Sequence, residues 1–77
     1  MALSAYVLVR TEAKKARAVK RALEKIRGVE CACLCWGIPD IFAYVEVKDN
    51  KTLRDLVLNN IQAVPGVRET DTHIVIE

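Results

Sequence analysis

Apolar residues follow two different periods along this chain, and each period predicts one kind of secondary structure. Four segments, residues 3–10, 29–36, 41–47 and 70–76, are rich in apolar and β-branched residues and predict strands. Two segments between them repeat apolar residues at the spacing of one helix face, at Ala16, Val19, Leu23 and Ile26 and at Leu53, Leu56, Val57 and Ile61. The order βαββαβ predicts an α+β, ferredoxin-like fold.

The ends of both predicted helices carry capping signals. Thr11 is predicted to cap the first helix, and Asp49 or Asn50 the second. Gly28 stands where a left-handed residue is expected after the first helix. Pro65 is expected to end the second helix, because proline cannot extend one.

The two halves of the chain resemble each other when residues 38 positions apart are aligned. Ala5-Tyr6-Val7 then falls on Ala43-Tyr44-Val45, and Gly28-Val29 falls on Gly66-Val67. The alignment holds along the whole chain, which indicates a duplicated strand–helix–strand unit. We therefore expect one domain of residues 1–77.

The predicted strands carry apolar residues on both faces. In the first strand Ala5 and Val7 point to one face, and the apolar residues Tyr6 and Leu8 point to the other. In the third strand Phe42 likewise puts an apolar side chain on the face where alternation would place a polar one. Two helices cover only one face of a four-stranded sheet. At about 25 cal/mol per Å² the remaining apolar face is too costly to leave in water. The sequence therefore predicts a dimer joined sheet to sheet, a dimeric α/β barrel.

Composition excludes several classes of protein. The net charge is +2, and the basic residues from Lys14 to Arg27 alternate with alanine as on a solvated helix face, so direct DNA binding is not expected. No apolar run approaches the roughly 20 residues of a membrane span, and no signal peptide is recognisable. An odd number of cysteines suits a reducing compartment. We expect a cytoplasmic protein that does not enter a membrane.

The cysteines Cys31, Cys33 and Cys35 share one face of the second predicted strand. Alternate strand residues are about 6.8 Å apart, whereas thiolate metal sites favour tight loops. The three side chains are therefore predicted to be small core residues beneath the helices. No metal and no cofactor is expected.

No group of residues in the sequence indicates catalysis. His73, the sole histidine, alternates with Thr72 on the last strand and has no nucleophile placed beside it, so it is predicted to be a surface or interface residue. Glu46 interrupts an apolar strand and is expected at a subunit interface or its rim, where an arginine could satisfy it. We predict that the protein is not an enzyme.

Several segments resemble the C-terminal effector domain of the Lrp/AsnC transcription regulators. They are Ala5–Val9, Ile26–Val29, Gly37–Asp40, Leu56–Leu58 with Ile61–Gln62, Val64–Val67 and Thr70–Ile76. The resemblance implies an effector domain without its helix-turn-helix. It also implies dimers that assemble into rings, commonly octamers, and a small effector, usually an amino acid, bound where dimers meet. Full-length regulators of the family are possible partners.

The resemblance places the effector at the turn between the central strands. Glycine lets backbone amides approach a carboxylate, and Asp40 can accept hydrogen bonds from an α-ammonium group. Pro39 departs from the family, where a bulky or aromatic residue is more usual, and narrows or stiffens the pocket. The predicted effector-binding residues are Trp36, Gly37, Ile38, Asp40, Thr70 and Thr72.

Three alternatives stay open at this point. Gly, Pro and Asp in a turn need no function, so the segment is equally well an ordinary hairpin turn. Dimeric barrels of this fold also include small enzymes, and an oligomer without any ligand is a further interpretation.

Overall fold

The computed structural model describes residues 2–77 and shows a four-stranded antiparallel sheet with two helices on one face. The elements are β1 (Leu3–Thr11), α1 (Ala16–Glu24), β2 (Val29–Leu34), β3 (Ile41–Val47), α2 (Asn50–Asp55), which continues as a π-helical segment (Leu56–Ile61), and β4 (Val67–Ile74). The strand order is β2-β3-β1-β4. This architecture confirms the ferredoxin-like βαββαβ prediction.

The core lies between the helices and one face of the sheet, as the periodicity predicted. Ala5, Val7 and Val9 of β1 are completely buried there, and the apolar residues of both helix faces pack onto them. The other buried residues are Val19, Leu23, Ala32, Ile41, Ala43, Val45, Leu53, Leu56, Val57 and Ile61. Within residues 2–77 no helix combines the length and the apolar character needed to cross a membrane.

The repeat has a direct structural counterpart. The equivalent strands β1 and β3 are the two central strands, and they pair antiparallel from Leu3 opposite Val47 to Val9 opposite Ile41. The equivalent strands β2 and β4 form the two edges of the sheet. The duplication therefore produces an approximate twofold arrangement within one chain.

The prediction that Thr11 caps the first helix is wrong. Thr11 is the last residue of β1, and α1 begins only at Ala16, after Lys15 as an N-cap without a side-chain hydrogen bond. The Thr11 hydroxyl donates instead to Asp40, across the sheet. A tertiary hydrogen bond has thus replaced the local one that the sequence indicated.

Of the two residues predicted to cap the second helix, Asp49 is the cap, and α2 begins at Asn50. The Asp49 carboxylate accepts a hydrogen bond from the Thr52 backbone N–H at 2.8 Å. Gly28 has the expected positive φ of 103°, but it lies beyond the turn that follows Glu24 rather than at the helix end. The last strand spans Val67–Ile74 and not residues 70–76, so it begins directly after Gly66.

Candidate functional site

The turn between β2 and β3, residues 36–40, is fixed to the end of β1 by Asp40. Both carboxylate oxygens of Asp40 accept hydrogen bonds from Thr11, one from the backbone N–H at 3.1 Å and one from the hydroxyl. The Asp40 carbonyl accepts a bond from the Cys35 N–H at 2.7 Å. Gly37 has a φ of 129°, and the Ile38–Pro39 peptide bond is cis. A carboxylate offers about four lone-pair sites, so Asp40 keeps capacity for a further donor.

Two of the predicted site residues point away from this turn into solvent. Trp36 is fully exposed, and Ile38 is 78% exposed. Neither forms an apolar wall within a single chain. Both are therefore available to another molecule.

The two threonines of the predicted site lie on β4, on the helix-covered side of the sheet. Thr70 is opposite Val9 and accepts a hydrogen bond from the Gln62 amide at 2.9 Å. Thr72 is opposite Val7, one step farther from the turn, and lies in a separate groove beside α2. The structure thus brings Thr70 close to the turn, but it places Thr72 elsewhere.

A cleft of about 310 Å³ lies where the turn meets β1 and β4. We call it the turn cleft, and it is lined by Leu8, Arg10, Pro39, Glu69, Thr70 and Asp71. Arg10 forms a 2.9 Å ion pair with Glu69, its partner across the strand pair. Asp71 lies 3.1 Å from the imidazole of His73. The cleft therefore combines a guanidinium, two carboxylates and a hydroxyl with an apolar wall of Leu8 and Pro39.

Four of these lining residues, Leu8, Arg10, Glu69 and Asp71, were missed by the sequence reasoning. Leu8 and Arg10 alternate along β1, as Glu69 and Asp71 do along β4, so each pair shares one face of its strand. That alternation was readable in the sequence. The register that places Arg10 opposite Glu69 and Leu8 opposite Asp71 was not.

The sheet face without helices is uncovered and carries large apolar side chains. Tyr6 is 47% exposed and Phe42 is 40% exposed, and both lie on the central strands. Glu46 lies on the same face, where its carboxylate is 3.2 Å from the Tyr44 hydroxyl and 3.5 Å from that of Ser4. We call this surface the open face.

The prediction that the cysteines are core residues beneath the helices is wrong. Cys31 and Cys33 pair with Tyr44 and Phe42 on the open face, and all three cysteines are exposed free thiols. The reason is the register of β2, in which Ala32 lies opposite the buried Ala43 and takes the helix side instead. In the part of the chain that the structure describes, no three His, Cys, Asp or Glu side chains gather in a way that could hold a metal ion.

The sequence matches a known family over almost its entire length. The model of the Lrp/AsnC ligand binding domain matches residues 4–77. An uncharacterized HTH-type transcriptional regulator of Pyrococcus abyssi is 31% identical over 71 residues, which are 92% of this chain and 45% of that regulator. A similar regulator of Pyrococcus furiosus is 30% identical, with 92% of this chain and 48% of that protein covered. The chain spans about half the length of these relatives.

Solved structures repeat the fold closely. TTHA0845 from Thermus thermophilus has a TM-score of 0.92 and 28% identity, and the match covers 97% of this chain and 94% of that one. Escherichia coli AsnC has a TM-score of 0.90 at 24% identity, over 97% of this chain and 51% of AsnC. A Neisseria meningitidis transcriptional regulator, solved as a complex with L-Met, has a TM-score of 0.86 at 22% identity, over 97% of this chain and 50% of that regulator.

Proposed function

The chain belongs to the family of Lrp/AsnC ligand-binding domains, which are parts of transcription regulators and not of enzymes, and from that premise we propose that it binds an amino acid or a similar small effector in the turn cleft. In this proposal the domain is a sensing and assembly module. Effector binding would act through the self-association of the domain and through its association with full-length regulators of the family.

The observation that carries the proposal is the chemistry of the turn cleft. An amino acid presents a carboxylate, an ammonium group and a side chain around one carbon atom. Arg10 can form a bidentate pair with the carboxylate, and Glu69 or Asp71 can accept from the ammonium. Leu8 and Pro39 offer the apolar wall that an uncharged side chain needs. A complex of L-Met with a regulator of the same fold supports the choice of an amino acid.

Asp40 has a positioning part in this proposal. Its two hydrogen bonds to Thr11 hold the turn, and hence Pro39, against the end of β1. Trp36, Gly37, Ile38 and Thr72 contribute only where a second subunit closes over the turn or the groove. The site is therefore complete in an assembly and partial in one chain.

The open face supports the assembly half of the proposal. Tyr6 and Phe42 expose apolar area that a single chain leaves uncovered. We expect this face to form a sheet-to-sheet homodimer, and dimers to associate further into a ring such as an octamer. The exposed thiols of Cys31 and Cys33 would then lie in the dimer interface.

Thermal unfolding with each of the twenty amino acids tests effector binding. A ligand at about 100 times its Kd stabilises the native state by about 2.7 kcal/mol, which raises Tm by several degrees. Arg10→Gln should abolish that rise, because it removes the guanidinium that pairs with the carboxylate of the amino acid. The matched control is Arg17→Gln, which removes an exposed arginine of α1 and should leave the rise unchanged.

Each other outcome points to a different function. No rise in Tm with any amino acid, in a protein that still assembles, would replace the effector proposal with a ligand-free structural oligomer. A rise that persists in Arg10→Gln would show that the site lies outside the turn cleft. Turnover of a small molecule would establish the enzyme alternative.

A further inference from the structure

The basic residues of the chain are concentrated around α1. Residues 14–27 contain seven of the twelve lysines and arginines and one of the ten acidic residues, so this segment has a net charge of +6. The chain as a whole carries +2, so the remaining residues together carry −4. The charge is therefore distributed unevenly, and its positive part lies on one helix and the turns at its two ends.

Three of these basic side chains form a straight row on the solvent side of α1. Arg17, Arg21 and Lys25 follow one another at intervals of four residues, about 6 Å along the helix axis. All three are exposed, on the side of the helix opposite the buried Val19 and Leu23. We call this row the basic stripe. The other exposed basic residues at its two ends are Lys14, Lys15 and Arg27.

The basic stripe carries charge that no acidic side chain neutralises. Glu24 is the sole acidic residue of α1, and it forms a 2.8 Å ion pair with Lys20 beside the stripe. Within residues 2–77 none of the three stripe residues takes part in an ion pair. Like charges four residues apart destabilise a helix. The stability of α1 therefore does not explain the arrangement.

The internal repeat shows that the fold does not need the basic stripe. The second half of the chain packs its own helix onto the same sheet, and there the positions equivalent to the stripe are Asp55, Asn59 and Ala63. Residues 52–65, the counterpart of residues 14–27, contain one arginine and one aspartate and carry no net charge. One structural unit thus occurs in a charged and an uncharged form, which indicates that the charge has a role outside the fold.

We propose that the basic stripe binds the phosphate backbone of duplex DNA without reading its sequence. The inference goes beyond effector binding, and it rests on the proposed association with HTH-type regulators only for the choice of DNA, because such regulators would bring the domain to a duplex. It replaces the expectation from composition that the chain does not contact DNA, since the structure places unpaired cations in one exposed row.

The surroundings of the stripe favour a phosphate backbone over a protein or a membrane. Protein interfaces centre on apolar and aromatic side chains and are depleted in lysine, whereas the exposed apolar neighbour on α1 is the small Ala18. A helix that binds a membrane inserts large apolar residues, and those of α1, Val19 and Leu23, are buried in the core. An interface that depends on charge alone is typical of backbone contacts to nucleic acid.

The same residues favour a duplex over a single strand. Single strands are bound by aromatic side chains on which the bases stack, and residues 14–27 contain no aromatic residue. Duplex DNA instead presents one negative charge per about 1.7 Å of its axis. A rigid row of cations can therefore bind it through neutralisation of phosphates and release of counterions.

Fluorescence anisotropy with two labelled duplexes of unrelated sequence tests the proposal on the intact chain, with no amino acid present. Both duplexes should bind equally well, because phosphate contacts carry no sequence information. For about three neutralised phosphates, the slope of log K against log salt concentration is about −2.7, so binding should weaken about 40-fold between about 50 and 200 mM salt.

The variant Arg17→Gln/Arg21→Gln/Lys25→Gln removes the basic stripe. It should weaken binding at about 50 mM salt at least about tenfold and flatten the salt dependence. The fold should survive, because the equivalent positions of the second helix carry no basic residue. Urea unfolding of the variant checks this directly.

The matched control is Lys48→Gln/Lys51→Gln/Arg54→Gln. It removes the same amount of charge from exposed residues in and beside α2. If the stripe is the binding surface, the control should weaken binding less than about threefold. An equal loss in both triple variants would show that net charge alone is responsible and would overturn the proposal.

Two further results would also overturn it. Tighter binding of poly-glutamate than of duplex DNA at the same salt concentration would identify an acidic protein as the partner. No binding of either duplex at about 10⁻⁴ M protein and about 50 mM salt would reject the contact. A Tm that still rises with an amino acid in that case would leave the effector proposal standing, and DNA binding by a protein that responds to no amino acid would do the reverse.

Discussion

Tyr6 and Tyr44, which occupy the same position in the two halves of the repeat, face each other directly across the central strand pair. They are cross-strand partners, their ring centroids are 5.2 Å apart, and the rings are inclined by 53°. Such tilted aromatic pairs contribute about 0.5–1.5 kcal/mol beyond their buried area. The approximate twofold axis of the chain therefore passes through the middle of the open face, where we propose that a second subunit binds.

Phe42→Glu should weaken the sheet-to-sheet dimer at least about tenfold, since it places a charge in the apolar centre of the open face. The fold of the single chain should survive, because Phe42 is already 40% exposed there. Sedimentation over a concentration series measures the effect. Leu58→Glu introduces the same charge on the helix side and should leave the dimer constant unchanged; equal effects of both substitutions would contradict the assignment of the interface.

Asp40→Ala should lower the free energy of unfolding by about 1–3 kcal/mol, because it leaves the Thr11 N–H without its acceptor. Asp40→Asn retains one acceptor oxygen and should cost less. Urea unfolding at fixed protein concentration gives both values. Asp71→Ala serves as the comparison, since that carboxylate is exposed and lies 3.1 Å from the imidazole of His73, and a loss as large as that of Asp40→Ala would refute the positioning role.

Gly66→Ala should be more destabilising than Gly37→Ala. Both residues have positive φ, 101° and 129°, which costs a non-glycine residue of order 1–3 kcal/mol. At Gly66 the added Cβ would also meet the Lys15 Cβ at 2.9 Å and the Val19 Cγ2 at 3.0 Å, whereas nothing lies within 4 Å at Gly37. Thermal or urea unfolding should therefore rank wild type above Gly37→Ala and Gly37→Ala above Gly66→Ala; equal stabilities of the two variants would contradict the packing at Gly66.

Asp49 should make stability depend on pH at the acid end. Hydrogen bonds from the Thr52 side chain and backbone lower the pKa of Asp49 below its ordinary value. The unfolded chain then takes up the proton first as the pH falls, so the stabilisation is present above the ordinary aspartate pKa of about 3.9 and is lost as the pH falls through the folded-state pKa.

The comparison that isolates this effect uses Asp49→Asn, which keeps a capping oxygen but does not titrate. Urea unfolding of wild type and variant between about pH 7 and pH 3 should show a stability advantage of wild type at neutral pH that shrinks toward acid pH. A difference that stays constant over this range would exclude Asp49 as the titrating group.

Local pattern was sufficient wherever neighbouring residues decide the structure. The period of two placed Ala5, Val7 and Val9 on the buried face and Tyr6 on the open face, and Asp49 capped its helix as predicted. Local pattern failed where a distant residue competed. Thr11 has the chemistry of a helix cap, but its backbone N–H and its hydroxyl both donate hydrogen bonds to Asp40, 29 positions away. The cysteines fit a small core position, but Ala32 occupies it.

Some residues of the candidate site were predictable from the sequence and others were not. The family resemblance directed the prediction of a site to the turn at Gly37 and Asp40 and to Thr70, and the structure places Thr70 beside the turn cleft. The sequence did not identify Arg10 and Glu69 as a pair, since these residues are 59 positions apart and meet only through the register of β1 and β4. The turn cleft exists only once that register is known.

The sequence by itself determined the order of the elements, the repeat, and the side chains that β1, β3 and the two helices turn toward the core, because all of these follow from the spacing of apolar residues along a short segment. Only the tertiary structure decided the strand order β2-β3-β1-β4, the pairing of Arg10 with Glu69, and the register of β2 that turns Ala32 to the core and the cysteines to the open face. Strand register depends on the fit of the entire core across distant parts of the chain, and no local period encodes it.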